Sequence, residues 1–520
     1  MGIDLRSGVS VPGVAWLTVK LVRITDVDRS VPRLAFAASA VVAVATIAAT
    51  IGAYGFDYSE GVYWQSLLSL DAGHQLFSQV FSSQPPLFLL SVLPAFELGG
   101  QSLVAARLMI VAMALTGVAA TVVLGRRVSR GAGWFAGALF LAGAVASSLH
   151  VEATVPAVSL SVVAVAIANR AGTRTGRRRL ALAALAGVVL ATATMIKLLG
   201  AVAVVPAVLV LALPPHPPDP FDDDAPDRDT GPTDDVVATG TRSVRWAIAP
   251  ALVLVGAAVL GVALVAALTW RDGAMYEQVV GFHLHARSIR SSTLDNIKIL
   301  AVATLTSPLL LVAVAGIVLA AWLRVRDAIV PAAWLATAAG FLLLHHPMFA
   351  SHRFVLVPPA ALAVASLPTW VGRRWHASTG RLDPRGWATV GVAIVVLGSL
   401  VLAGATAFEN PSSPRRAQRA TIDLVDQHVP SSMLVVTDDQ ALVAEAGRMT
   451  PPSLVDTSNV RIEAGSLTLD ELIRVTQDER AAVLFTGGRF DEIPGFRQWA
   501  DQHLTRVADV PDGGALYLPT

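Results

Sequence analysis

The chain has 520 residues, of which 54% are hydrophobic and 15% are charged, and its formal net charge is +1 at pH 7. Because a soluble domain carries about 25% charged residues, this composition excludes an ordinary soluble protein and predicts a polytopic α-helical membrane protein. The chain contains no cysteine, which excludes disulfides, thiolate metal sites and cysteine nucleophiles.

The N-terminal segment 1–33 is basic, but it contains Asp4, Asp26 and Asp28 and no cleavage site. We therefore expect a retained cytoplasmic tail and not a signal peptide. After it, about eleven apolar runs are long enough to cross a bilayer. They cover residues 34–54, 103–124, 132–149, 155–169, 180–197, 199–213, 246–268, 297–323, 328–345, 354–371 and 387–408. The run 87–98 is too short to cross and is expected to lie at the interface or to re-enter the membrane.

Lysine and arginine residues in the loops set the orientation of the spans, because they are retained on the cytoplasmic side. When the N-terminus is placed inside, the inside loops contain Arg126, Arg127, Arg130, Arg170, Arg174, Arg177, Arg178, Arg179, Arg242, Arg245, Arg324, Arg326, Arg373, Arg374, Arg381 and Arg385. The segment after about residue 409 is then predicted to lie outside. The abundance of Ala, Val, Arg and Asp is typical of a high-GC bacterial genome, so we expect the cytoplasmic membrane of a bacterium.

Two regions have the composition of soluble chain. The loop 214–243 is rich in proline and aspartate and cannot bury enough apolar surface to fold, which predicts a disordered cytoplasmic linker; a divalent-cation site on its aspartates is the alternative. Residues 409–520 alternate predicted strands (433–437 and 481–486) with predicted helices (ending at 445, and at 469–476 and 496–504), which indicates a small extracytoplasmic α/β domain. The pair Gly487-Gly488 is weak evidence for a phosphate cradle, and a cap over a membrane site is the favoured interpretation.

Polar residues next to the spans converge on the predicted outer face. The segment 56–65 combines Asp57 and Glu60 with aromatic side chains, and ionisable groups at that depth are costly unless they are functional. The same face receives His74, His150, Glu152, Lys197, Trp270, Arg271, Asp272, Glu277, His283, His285, Arg287, Arg290 and the run 345–353. Carboxylates could deprotonate an acceptor hydroxyl, and cations could neutralise a leaving phosphate. This set therefore predicts a reaction on an anionic lipid head group.

Each of these residues also has an ordinary structural interpretation. Asp57 or Glu60 could be a helix cap or a solvated loop charge, and Glu152 could complement a helix dipole. Lys197 could extend its ammonium group to the interface, and His283 with His285 could be plain interface residues. The remaining alternatives are a metal site at His345, His346 and His352, a rigid turn at Pro85-Pro86, and membership of Tyr63 and Trp64 in the interfacial aromatic belt.

In these motifs the sequence resembles the GT-C glycosyltransferases, which use polyprenyl-phosphate sugars, and in particular the branch of protein O-mannosyltransferases and aminoarabinose transferases. Ser59-Glu60-Gly61-Val62-Tyr63 stands where that branch has an acidic motif, and Gln84-Pro85-Pro86-Leu87 where it has a Pro-Pro pair. Glu152, Lys197 and the stretch from His345 to Pro358-Pro359 match its later acid, lysine and His-rich positions. Ser59 departs from the family, where an aspartate is usual.

The resemblance implies an inverting sugar transfer at the outer membrane face, without metal or cofactor. It implies catalytic carboxylates among Asp57, Glu60 and Glu152. It implies contacts to the donor phosphate from Lys197, His346, His352 and Arg353, and a substrate loop containing Tyr63, Gln84, Pro85 and Pro86. The partners would be a polyprenyl-phosphate sugar, membrane lipids and an acceptor protein, lipid or polysaccharide, with no nucleic acid. The alternatives are a transporter or flippase of lipid-linked saccharides and an inactive scaffold that displays the outer domain.

Overall fold

The structure is a computed structural model that describes residues 24–52, 58–147, 150–213, 245–271, 273–286, 292–375, 384–409 and 416–520. The first part of the predicted tail, the loop 214–243 and Asp57 lie outside these ranges, so the predictions made for them stay predictions. The described chain consists of a bundle of apolar helices followed by a small domain with a β-sheet.

Helices make up nearly all of the described chain before residue 410. In chain order they are α1 (Ile24–Thr50), α2 (Tyr58–Asp71), α3 (Leu87–Leu98), α4 (Leu103–Gly125), α5 (Arg130–Ala146), α6 (Thr154–Gly172), α7 (Gly176–Ile196), α8 (Val204–Ala212), α9 (Arg245–Leu268), α10 (Ala274–Tyr276), α11 (Phe282–Ala286), α12 (Thr293–Thr306), α13 (Pro308–Trp322), α14 (Ile329–Leu344), α15 (Val357–Trp375) and α16 (Pro384–Glu409). A 3₁₀ segment, Leu198–Ala203, joins α7 to α8, and another, Ala350–Leu356, precedes α15.

Within the described ranges, eight helical segments are long and apolar enough to cross a membrane, and a ninth would be a bent pair. This confirms a polytopic α-helical membrane protein. The predicted spans 132–149 and 199–213 correspond to shorter apolar helices, so the count of about eleven crossings stays a prediction. The short run 87–98 forms the twelve-residue helix α3.

The predicted span 297–323 is not one straight helix. It is broken between α12 and α13, whose axes meet at 94°. The cause is local: Pro308 disfavours helical backbone at the residue before it, and Ser307 is extended with φ −96° and ψ 113°. The buried Asn296 of α12 donates to the carbonyl oxygens of Leu342 and His345 at 2.9 Å each. These hydrogen bonds fix the start of α12 against the C-terminal end of α14.

The two ends of the bundle differ in chemistry. At one end, here called the arginine side, Arg127 donates to Asn169 and Arg373 pairs with Asp327 at 2.7 Å. At the other end, here called the domain side, α2 and the loops after α5 and α7 face the C-terminal domain. Such clusters of arginine mark the predicted cytoplasmic loops, and the orientation of the bundle stays a prediction.

The C-terminal domain contains α17 (Arg416–His428), β1 (Val435–Thr437), α18 (Gln440–Glu445), α19 (Asn459–Glu463), α20 (Leu469–Asp478), β2 (Ala482–Phe485), α21 (Phe496–His503), β3 (Leu504–Val510) and β4 (Gly514–Pro519). The strands form a mixed sheet in the order β1-β2-β4-β3, in which only β1 and β2 are parallel. Apolar clusters cover both faces of the sheet. The predicted strands and helices are confirmed, whereas α17, α19, β3 and β4 were not predicted.

The C-terminal domain packs on helix α2. The side chain of Gln65 is fully buried, and its amide nitrogen donates to the carbonyl oxygen of Arg448 at 3.0 Å. Its amide oxygen accepts from the backbone N–H of Thr450 at 3.0 Å. One turn earlier, a Cβ on Gly61 would come within 2.6 Å of the backbone nitrogen of Ala441. Only glycine therefore permits this close approach.

We expect Gln65→Leu to loosen the domain from α2. The substitution leaves buried backbone groups of Arg448 and Thr450 without partners, at a cost of about 1–3 kcal/mol each. Hydrogen exchange followed by mass spectrometry should show faster exchange at the amide of Thr450. Gln427→Leu, on the exposed face of α17, is the control for added hydrophobicity. Unchanged protection of Thr450 in Gln65→Leu would contradict this account of the interface.

Candidate functional site

A cavity of about 950 Å³ lies on the domain side, between the bundle and the C-terminal domain. Its wall combines charged and polar side chains with an apolar extension. The polar part comprises Tyr58, Ser59, Tyr63, Gln84, His150, Glu152, Lys197, His283, His345, His352, Arg353, Asp456, Ser458, Asn459 and Arg489. The apolar part comprises Ala142, Gly143, Ala146, Leu309, Leu310, Val357 and Leu402, from the domain-side halves of α5, α13, α15 and α16.

Lys197 is the main buried cation of the cavity. It lies between the end of α7 and the start of the 3₁₀ segment. Its backbone is extended there, so its side chain does not continue the helical arrangement of α7. Its ammonium group is 2.8 Å from the hydroxyl of Thr154 and 3.4 Å from the carboxylate of Glu152, and that hydroxyl donates to the same carboxylate at 2.6 Å. Buried ammonium groups are stable only with anionic or hydrogen-bonding partners. The structure therefore brings Glu152 and Lys197 together, as the sequence predicted.

Three histidines stand beside this lysine. The ring of His345 is 4.8 Å from that of His352 and 6.3 Å from that of His283, measured between centroids. His345 follows the last residue of a membrane-spanning segment. Burial, reinforced by the nearby His283 and Lys197, lowers the pKa of the His345 imidazole to about 4. His345 is therefore neutral at pH 7.

The other predicted phosphate contacts separate into two groups. His352 and Arg353 line the cavity, and Arg353 is steadied by a 3.1 Å bond from its Nε to the carbonyl oxygen of Ala350. His346 is buried, with 6% of its surface exposed, and is not among the cavity-lining residues. Within the described chain, no group of three His, Asp or Glu side chains is arranged to hold a metal ion.

Glu60 is engaged in a buried ion pair and does not line the cavity. Both of its carboxylate oxygens bind Arg107, at 2.8 Å to Nε and 2.5 Å to a terminal nitrogen. One of them also accepts from the backbone N–H of Val151 at 2.9 Å, and Arg107 donates to the carbonyl oxygen of Ile51. Sequence reasoning missed Arg107. The available signal was an arginine inside an otherwise apolar span.

Asp57 lies outside the described residues. It immediately precedes Tyr58 and Ser59 in the sequence, and both of these residues line the cavity. Glu60, one turn into the same helix, faces away into the bundle. The described part of the acidic motif thus contains a structural glutamate, Glu60, and two cavity-lining residues, Tyr58 and Ser59.

The predicted substrate loop borders the cavity through Tyr63, Gln84 and Pro85. Tyr63 packs edge-to-face on Phe88, with ring centroids 4.8 Å apart. Pro86 is buried and caps α3. Its fixed φ suits this position at the start of a helix.

The amide of Gln278 anchors this loop from the segment before α11. It donates to the carbonyl oxygen of Phe77 at 2.7 Å and accepts from the backbone N–H of Ser82 at 3.0 Å.

The C-terminal domain supplies part of the wall, which the sequence did not predict residue by residue. The hydroxyl of Tyr58 donates to Asp456 at 2.9 Å, and the guanidinium of Arg489 lies 3.7 Å from the centroid of the Tyr58 ring. Burial, together with the carboxylate of Asp456, raises the pKa of Tyr58 well above its usual value. Tyr58 therefore stays a hydrogen-bond donor at physiological pH.

Comparison with solved structures identifies the fold. Crystal structures of ArnT from Cupriavidus metallidurans align with TM-scores of 0.64 (apo) and 0.60 (bound to undecaprenyl phosphate), at 14% and 13% identity. Each alignment covers 93% of this chain, with 96% and 97% of ArnT. The archaeal oligosaccharyltransferase AglB from Archaeoglobus fulgidus, in complex with an inhibitory peptide and a dolichol-phosphate, aligns with a TM-score of 0.54 at 12% identity over 94% of this chain and 74% of AglB. No protein-family model and no curated protein sequence matches the chain. The chain therefore shares the fold of ArnT, which confirms the predicted fold class.

Breaking the Glu60–Arg107 pair should strongly destabilise the protein. We expect Arg107→Met or Glu60→Gln to lower the free energy of unfolding by about 3–5 kcal/mol, because one buried charge loses its partner. Denaturant unfolding in detergent micelles measures this loss. The double variant should recover part of it. Lys298→Ala, in the exposed pair with Asp295, is the control and should leave stability unchanged; an equal loss there would contradict the assignment.

The neutral state of His345 predicts a pH dependence of stability. Its pKa is lower in the folded protein than in the unfolded chain, so the unfolded state binds more protons as pH falls from about 6.5 to about 4. Stability from this group is therefore present above pH 6.5 and is lost toward pH 4. His345→Gln should reduce the fall in the melting temperature over that range, whereas the exposed His428→Gln should not. Equal pH profiles for the wild type and His345→Gln would contradict burial of a neutral imidazole.

Proposed function

We propose that the protein is a membrane glycosyltransferase that moves a sugar from a polyprenyl-phosphate donor to an acceptor hydroxyl at the outer face of the cytoplasmic membrane. The observation that carries the proposal is the cavity in which Lys197, His352 and Arg353 meet beside an apolar groove. The fold supports it, because two proteins with this fold were solved with undecaprenyl phosphate and dolichol-phosphate. The sugar is left open.

The donor phosphate would bind at Lys197 and Arg353. Within the described chain the cavity wall carries three cations, Lys197, Arg353 and Arg489, and two carboxylates, Glu152 and Asp456, which leaves an excess of positive charge for an anion. Preorganised cations in a site shielded from water stabilise developing charge far better than exposed ones do. The isoprenoid chain would lie along the apolar part of the wall, where Leu309, Leu310 and Leu402 continue the cavity into the bundle.

The transfer we propose is a single displacement with inversion. The acceptor oxygen bonds to the anomeric carbon while the bond from that carbon to the phosphate oxygen breaks, and the phosphate leaves with the electron pair. The acceptor proton passes to a carboxylate. Glu60 is held by Arg107, and Glu152 is held by Lys197. We therefore assign the base to Asp57, and we assign Glu152 to the positioning of Lys197.

A transporter or flippase of lipid-linked saccharides fits the cavity less well. The cavity-lining residues of α5, α13 and α16 lie in the domain-side halves of those helices, at 142–146, 308–310 and 399–402. The opposite ends carry the arginines of the arginine side. A transporter holds its substrate near the bilayer midplane, whereas this cavity opens toward the C-terminal domain.

The proposal is tested by supplying the purified protein, in lipid nanodiscs, with polyprenyl phosphates that carry mannose, arabinose or galactose. We expect release of polyprenyl phosphate from one of these donors. Asp57→Asn should lower kcat by about 10²–10⁴-fold through loss of the base. Lys197→Met should lower it by about 10²–10³-fold through loss of charge stabilisation.

Lys298→Met, a solvent-exposed lysine of α12, is the matched control and should keep full activity. Binding of a donor without release of polyprenyl phosphate from any of the three would contradict the transferase. Movement of that donor across the bilayer would then identify a flippase.

A further inference from the structure

The two walls of the cavity differ in charge. The wall from the bundle is cationic, with Lys197 and Arg353. The wall from the C-terminal domain is polar but balanced, because it offers one carboxylate, Asp456, and one guanidinium, Arg489, together with Asn459. A binding site for a second phosphate or for an acidic lipid would contain a second group of cations. The domain wall therefore suits a neutral ligand that forms many hydrogen bonds.

The carboxylate of Asp456 can accept hydrogen bonds from a ligand in the cavity. Only 8% of its surface is exposed, and the Tyr58 hydroxyl and the backbone N–H of Ser458 both donate to Oδ1 at 2.9 Å. Ionised carboxylates accept at both oxygens. Oδ2, on a residue that lines the cavity, is therefore the oxygen that we assign to a ligand hydroxyl.

Asn459 adds a second polar atom to the same wall. Its Oδ1 is buried and makes no hydrogen bond within the described chain, although the residue lines the cavity. Buried polar atoms without a partner cost about 1–3 kcal/mol, and such atoms in native proteins are the exception. Because this oxygen has no accessible surface, a ligand hydroxyl reaches it only when the amide rotates toward the cavity.

Arg489 is held rigidly beside these acceptors. One terminal nitrogen donates to the carbonyl oxygen of Asp438 at 2.5 Å, and its guanidinium is stacked on Tyr58. The carboxylate of Asp438 is itself buried, and it accepts from the hydroxyl of Thr486 at 2.8 Å. The remaining N–H groups of Arg489 form a fixed planar fork, which complements the acceptors Asp456 and Asn459.

We propose that Asp456, Asn459 and Arg489 form the acceptor subsite and that the acceptor is a neutral saccharide chain. This inference rests on the proposed transferase function and adds the class of its acceptor. Adjacent sugar hydroxyls donate and accept at once, so they match a wall that offers a carboxylate, an amide and a guanidinium together. Recognition of this kind discriminates strongly, because an analogue without the hydroxyl leaves buried groups unpaired.

Peptide and lipid acceptors match this wall less well. Extended peptides bind by adding a strand to an open sheet edge, and the domain residues that line the cavity (456, 458–460 and 489) belong to none of the four strands. Lipid acceptors would need an apolar surface on this side. The apolar surface lies instead on the bundle wall, next to the phosphate cations.

The test uses the full-length protein in nanodiscs with the active polyprenyl-phosphate sugar as donor. The acceptors are neutral trisaccharides of mannose, arabinose or galactose, a peptide rich in serine and threonine, and a short-chain diacylglycerol. We expect transfer to a trisaccharide. We expect Asp456→Asn and Asn459→Ala each to raise the KM for that acceptor at least tenfold and to change the KM for the donor much less.

Asp456→Asn keeps the Oδ1 acceptor for Tyr58 and replaces Oδ2, the proposed ligand acceptor, with an amide donor, so the fold of the wall is retained. Asp501→Asn is the matched control, because Asp501 accepts from a tyrosine hydroxyl, that of Tyr517, in the same domain at 2.6 Å and lies outside the cavity. Transfer to the peptide or to diacylglycerol alone, or an unchanged acceptor KM in both cavity variants, would overturn the saccharide subsite. Absence of both hydrolysis and transfer would instead reject the transferase itself.

Discussion

The buried pair of Glu60 and Arg107 is the constraint on which the site depends. It joins the end of α1 through Ile51, the first turn of α2, the middle of the bundle through α4, and the loop before α6 through Val151. Two charges withdrawn from water are tolerated only when their geometry satisfies both. The pair therefore fixes the direction of α2, and α2 in turn presents Tyr58 and Tyr63 to the cavity.

The same helix carries the domain. Gln65 and Gly61 contact the domain on the face of α2 next to the one that carries Glu60. The cavity wall from the domain is therefore positioned by its contacts with α2 of the bundle. Helix α2 therefore sets the distance between the cations of the bundle wall and the polar groups of the domain wall. The proposed sugar transfer would take place across this distance.

Hydropathy and motif order predicted most of the helices and brought Glu152 and Lys197 to one site, because those features are local in sequence. Three features were not predictable in this way. Arg107 pairs with Glu60, which is 47 residues away in the sequence. A membrane span is recognised by hydropathy averaged over many residues, so one charged residue hardly changes the average. The 94° turn at Pro308 does not change hydropathy. Strand β3 has the exposed, charged pattern of a sheet edge, which lacks the apolar alternation by which strands are recognised.

The charge of the bundle wall matches the proposed donor in a specific way. Lys197 and Arg353 lie together on the bundle wall, where they would face the phosphodiester monoanion of the proposed donor. Once the sugar has left, the phosphate monoester carries a further negative charge. The nearest groups able to respond are neutral histidines, led by His345 with its pKa of about 4. An adjacent anion raises the pKa of an imidazole, so the product phosphate would raise the pKa of His345 once the bond has broken.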